Sequence, residues 1–272
     1  MKHLPLLLLC AALAATPALA PAGEDASPLE FFPRTRLFPK LVADGTVQGL
    51  SLGKDLATRR WNGGIGGTER ILEARVAGHT LQLGVGATVY ATLIRQPRVL
   101  EVVTADFFVD VPVDIALTSR LTLRTGYGHY SAHFADDGLE ILGLHSINYA
   151  KDFIPLLLAL QVPAIGGHVY GGGRIDYYTI PESGRHWVLQ AGIEAGGLEL
   201  VAGVRGYAAV DVRCKSEVHG GTTQSYQVGV RLFEREAQAL RVSWTLRTGV
   251  DDRGQFYRNR ITLSLLGVAL DV

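Results

Sequence analysis

From residue 46 onward, apolar and polar positions alternate with a period of two, where an amphipathic helix would show a period of three to four. In 81–93, Leu81, Leu83, Val85, Ala87, Val89, Ala91 and Leu93 share one face, and Gln82, Gly84, Gly86, Thr88, Tyr90 and Thr92 share the other. The same alternation runs through 99–113, 198–212, 224–234 and 238–250. Further strand candidates lie near 46–53, 64–77, 119–134, 148–162, 167–179, 186–195 and 256–270. Together they predict about twelve antiparallel strands, an even number as a closed bacterial barrel requires. Ala77-Gly78, Ala195-Gly196-Gly197 and Asp251-Asp252-Arg253-Gly254 have the residue types of tight hairpin turns. The longer, more polar stretches 135–147 and 213–223 are expected to be loops.

Alternation alone fits a soluble sandwich as well as a membrane barrel, because either one buries only one face. The polar face separates them. It mixes glycine with the charges Asp106, Arg124, Arg174, Asp176, Arg205 and Arg247, while lysine is scarce, and this is the content of a polar lumen. The chain is therefore read as all-β: an antiparallel up-and-down transmembrane β-barrel over 45–272, with those six residues lining the lumen and the apolar faces on lipid. A barrel of this size is narrow enough for its own side chains to fill. One feature departs from such barrels: the chain ends Leu270-Asp271-Val272, without a terminal aromatic.

Ahead of the barrel, Lys2 and His3 precede an apolar run from Leu4 to Ala14 and then Ala20-Pro21-Ala22, the layout of a cleaved signal peptide over 1–22. Residues 23–44 then form an N-terminal periplasmic segment. Of the two cysteines, Cys10 falls in the signal peptide, which leaves Cys214 without a disulfide partner. The chain has 26 basic and 26 acidic residues, so no basic surface points to nucleic acid. The expected location is the cell outer membrane, and the expected partners are outer-membrane lipid and the assembly machinery. No cofactor is expected, and no metal. His129 and His133, four apart in a strand, would stand roughly 13 Å from each other, too far to share an ion. Gly171-Gly172-Gly173 lacks the lysine and helix of a phosphate-binding loop.

Several stretches resemble a bacterial family catalogued as domain-of-unknown-function family 1207. They are Phe38-Pro39-Lys40-Leu41-Val42-Ala43-Asp44, Thr104-Ala105-Asp106 with Pro112, Tyr130-Ser131-Ala132-His133 with Asp136, Asn148-Tyr149-Ala150-Lys151-Asp152, and Val169-Tyr170-Gly171-Gly172-Gly173. The resemblance covers most of the mature chain. It implies a secreted outer-membrane protein and carries no established activity.

The one chemically suggestive cluster is Gly128-His129-Tyr130-Ser131-Ala132-His133. In a strand, His129 and Ser131 share a face with Cα atoms roughly 6.5 Å apart, so the imidazole can serve the hydroxyl as a base. Parity puts both with Leu121, Leu123 and Tyr127 on the lipid side. This is similar to the His-x-Ser arrangement of outer-membrane phospholipase A and lipid A deacylase barrels. In those families an orienting residue follows the serine by about a dozen positions, where this chain has Gly143. Folding the hairpin about position 140 instead brings Asp152 opposite His129 and Asn148 opposite His133. The candidate triad is Ser131, His129 and Asp152, with Asn148 as the alternative orienting group. The reading is thus a barrel of unassigned role with a narrow or side-chain-filled lumen. A lipid-ester hydrolase and a narrow channel for small anionic solutes are the alternatives.

Overall fold

Strands in a barrel wall meet two environments, and their side chains sort between them. The wall is built from β2 (Leu50–Asp55), β3 (Arg60–Val76), β4 (His79–Arg95), β5 (Leu100–Ala116), β6 (Leu121–Phe134), β7 (Tyr149–Val162), β8 (Gly167–Ile180), β9 (Trp187–Val201), β10 (Val204–Lys215), β11 (Gly221–Arg235), β12 (Gln238–Val250) and β13 (Arg260–Asp271), after a short β1 (Leu29–Phe31). This computed structural model describes residues 29–235 and 238–271, so the expected signal peptide over 1–22 lies outside the described residues. Each strand pairs antiparallel with the next, and β13 returns to β2 from Leu265↔Asp55 to Leu270↔Leu50, closing a ring of twelve. The expected strand number and the up-and-down order are both borne out. β1 pairs with β3 at Leu72 to Ala74, beyond the stretch that β2 covers.

The alternation maps onto the two faces of the wall. Leu156 is 60% exposed and Leu157 9%, and the same reversal recurs between Val109 and Phe108 and between Leu266 and Leu265. The apolar residues at alternate positions form the outer surface. The inner surface carries Asp106, Lys151, Asp176, Asp211 and Arg241, all buried. Ion pairs neutralise several of the inner charges: Arg124 is 2.7 Å from Asp114, Lys151 3.2 Å from Asp176, and Arg241 2.8 Å from Asp271, while Asp106 accepts hydrogen bonds from Tyr130 and the Gly254 N–H. Buried charge is costly unless it is paired or hydrogen-bonded in this way.

Six differences from the sequence reading stand out. The segment ahead of the barrel does not stay outside it; it dips into the lumen from the end where β2 begins, with Phe38, Leu41, Val42 and Ala43 buried against the wall. A strand near 46–53 shifts to Leu50–Asp55, because 46–49 still belong to that inner segment. Ala195-Gly196-Gly197 is no turn. β9 runs through it with register shifts, and the chain reverses at Ala202 and Gly203 instead. The loop 135–147 holds a short helix, α1 (Asp136–Leu142), and the loop expected at 213–223 shrinks to 216–220. Finally, 251–259 is an inward excursion and not a tight turn, with Asp251 to Gln255 all buried.

The two ends of the barrel differ. One has the chain's entry into β2, the end of β13 and connections as short as Ala77-Gly78 and Ala202-Gly203. The other has the longer connections 135–148 and 251–259.

Candidate functional site

The lumen is the larger polar region. Apolar residues of the inner segment anchor it to the wall: Phe38 and Leu41 pack with Leu157, Ala159 and Tyr170, and Val42 and Ala43 pack with Tyr207 and Ala209. Polar contacts hold it as well. Lys40 lies 2.8 Å from Asp271, Asp44 pairs with Arg213, Tyr90 donates to the Thr46 carbonyl, and Gln48 donates to Asp110 at 2.6 Å. From the opposite end, the excursion 251–259 descends to meet this segment. Lys215 donates to Asp252 at 2.7 Å, Gly254 N–H donates to Asp106 at 3.1 Å, and Arg253 stacks on Tyr90 at 4.6 Å. Gly45 marks the junction: a side chain there would strike the Asp252 carboxylate and reach within 3.0 Å of the Arg247 guanidinium. Space remains on both sides of the segment: a cavity of about 150 Å³ between Phe108, Tyr130, Tyr149 and Phe153 on the wall and Lys40, Asp44 and Gln48 on the segment, and another of about 100 Å³ between Val42 and Gly45 on the segment and Tyr90, Arg241 and Arg247 on the wall.

The six expected lumen residues fall into two groups. Asp106, Arg124, Arg174, Asp176 and Arg247 face the interior, where Arg174 pairs with Asp176 at 2.9 Å and stacks on Phe153 at 4.2 Å. Arg205 stands at the short-turn rim, 56% exposed and 3.2 Å from Glu234, because it is the second residue of β10, directly after the reversal at Ala202 and Gly203. Missing from the sequence reading were the residues that the inner segment and the excursion place in the lumen, Phe38, Lys40, Asp44, Gln48 and Asp252. Their signal was the stretch Phe38 to Asp44, apolar yet without alternation, directly ahead of the first strand.

The second polar region lies on the outer face, toward the long-loop end. His129 pairs in register with Asp152 across β6 and β7, and its Nδ1 lies 2.6 Å from Asp152 Oδ1. Tyr127, two positions before His129 on the same face, donates to that oxygen at 3.0 Å. With Nδ1 occupied by the carboxylate, Nε2 is the nitrogen left to exchange a proton. Ser131 shares the face, between Phe107 on β5 and Ala150 on β7, and among the described residues no hydrogen bond joins it to His129. Asn148 is exposed just before β7 and makes no described side-chain hydrogen bond, and His133 meets the ring of Phe107 edge-on at 5.7 Å. The geometry thus joins His129 to Asp152 and adds Tyr127, which sequence reasoning missed although its parity matched. No group of three or more His, Cys, Asp or Glu among the described residues could hold a metal ion.

No curated protein matches the chain. A family model does match, over residues 18–271, and it spans the inner segment, the whole barrel wall and both polar regions. The chain belongs to the family described as a protein of unknown function, DUF1207.

Proposed function

We propose that this chain is an outer-membrane barrel sealed by its own N-terminal segment, acting through its surfaces and not by conducting solute. The observation that carries this reading is the packing of the inner segment inside the lumen, with Phe38 fully buried there. The apolar outer face supports a lipid surrounding, since hydrocarbon is the solvent in which exposed leucine and valine cost nothing. Both ends of the barrel chain and the short turns then face the periplasm, and the longer loops face outward. The anion-channel reading is weaker, because Lys40, Arg124, Lys215 and Arg241 each face a carboxylate. Replacing 33–48 by a Gly/Ser linker of equal length tests the seal in planar bilayers. Native protein stays silent and the replacement conducts. An open-pore current from native protein would overturn the seal, and a soluble native protein without a heat-dependent gel shift would overturn the membrane reading.

A second reading rests on the 2.6 Å contact between His129 and Asp152. An imidazole oriented by a carboxylate beside Ser131, on a lipid-facing wall, supports serine-based hydrolysis of a membrane lipid ester. Purified protein would release fatty acid from phospholipid or lipid A, and Ser131→Ala would abolish the release. Undiminished release from that variant sinks this reading and leaves the first untouched.

A further inference from the structure

Exposed charge is distributed unevenly around the long-loop end. Arg59 closes the β2–β3 connection, Arg95 ends β4, Arg98 lies in the 96–99 connection, Arg258 lies in the excursion 251–259, and Arg260 opens β13. All five are exposed. They belong to one sector, because β13, β2, β3, β4 and β5 are consecutive around the ring. At about 4.8 Å per strand step the sector is roughly 19 Å wide. Within it, the Arg95 N–H donates to the Arg59 carbonyl at 2.9 Å.

Of the acids of the same sector, Asp55, Asp251 and Asp252 are already engaged, whereas Glu101 makes no ion pair among the described residues and is set apart only by partial burial. Asp55 is buried and accepts from Thr58 and the Ser264 N–H. Asp251 is buried against Arg60 at 3.0 Å, Asp252 against Lys215, and Glu101 is half-buried with one carboxylate oxygen enclosed. The exposed acids of this end, Asp136, Asp137, Glu140 and Glu182, lie in other connections, β6–β7 and β8–β9. None of the five arginines makes an ion pair among the described residues. Directly below them the outer face turns apolar at Leu52, Leu56 and Leu266. The arginines therefore stand where the apolar belt gives way to polar surroundings.

We propose that this sector binds the phosphate groups of a phosphorylated lipid headgroup in the outer leaflet, a step that rests on the membrane reading above. Guanidinium groups suit this ligand because their paired N–H donors match two phosphate oxygens, and like charges grouped without counter-charge are relieved by a bound anion. Their flexible stems lie along lipid chains while the heads reach the headgroup level.

The test uses the full chain purified in a non-ionic detergent and titrated with bisphosphorylated lipid A or its dephosphorylated form. Native protein binds the phosphorylated lipid more tightly, and Arg59→Ala/Arg95→Ala and Arg258→Ala/Arg260→Ala each weaken that binding. The loss is about fivefold per arginine, the factor that corresponds to about 1 kcal/mol for a basic residue near an anionic surface. Arg185→Ala, in the β8–β9 connection, leaves binding unchanged. Equal binding of the two lipids, or unweakened binding by the double variants while their heat-dependent gel shift persists, overturns the proposal alone. Absence of that shift from native protein overturns the membrane reading and the proposal together.

Discussion

On β6, Tyr130 points into the lumen and its neighbour His129 points away from it, and each meets an aspartate. Tyr130 donates to Asp106 at 2.5 Å in an enclosed site, where Gly254 N–H also donates and the Asp252 carbonyl lies 3.0 Å away. His129 meets Asp152 at nearly the same distance, but the two side chains are 37% and 24% exposed. The inner pair ties three parts of the chain together: β5, β6 and the excursion 251–259. The outer pair ties only two adjacent strands that the backbone ladder already holds. Equal bond lengths therefore imply unequal work. The inner network is expected to carry stability, and the outer one is free to carry chemistry.

The sharpest way to break the inner side of this comparison is Asp252→Ala. That change leaves Lys215, Arg213 and Arg247 enclosed with one less counter-charge, and stranding buried charge costs about 3–5 kcal/mol. The temperature at which the unboiled protein loses its altered gel mobility should fall by more than for any other single substitution considered. The same carboxyl predicts a pH dependence. Burial alone would raise its pKa, but Lys215, Arg213 and Arg247 outweigh burial and hold it well below the usual carboxylate range. A depressed carboxyl contributes stability that is fully present above its unfolded value of 3.8 and is lost as pH falls below that value. This contribution should therefore stay flat from neutrality down to about pH 4 and decline only in stronger acid, and Asp252→Ala should remove the decline. Asp106→Ala comes next. It strips an acceptor from Tyr130 and Gly254, at about 2–3 kcal/mol for hydrogen bonds to a charged group, and should lower the same transition by less.

How far these regions could be read from the sequence depended on whether periodicity reached them. The wall was legible because a strand whose two faces meet different surroundings must alternate: Leu156 with Leu157 and Val109 with Phe108 follow the period-two pattern residue by residue. Register followed where a hairpin had one clear centre, and this is how Asp152 was placed opposite His129. Glycine misled in β9, where Gly196 and Gly197 have the composition of a turn yet sit at a strand irregularity beside β10. The inner segment was illegible for a different reason. An irregular chain buried by a wall that surrounds it has no period of its own, and Phe38 to Asp44 read equally well as an exposed lead-in. Arg205 shows the limit of parity: it shares the parity of the buried Tyr207 and Asp211, yet it lies beside the turn at Ala202 and Gly203, where the lumen gives way to the rim.

The smallest expected effect sharpens the comparison from the outer side. Asp152→Ala removes the acceptor of both Tyr127 and His129, yet partly exposed pairs of this kind contribute about 0–1 kcal/mol. Its thermal transition should therefore stay close to that of native protein, well above those of Asp106→Ala and Asp252→Ala. Fatty-acid release should behave in the opposite way. If Asp152 orients the imidazole, its loss lowers turnover with little change in substrate affinity, as does His129→Ala, and Asp152→Glu restores part of the rate. A large loss of stability in Asp152→Ala would erase the distinction between the two faces of β6. Near-native stability with no change in release would keep the distinction and remove catalysis from the outer cluster.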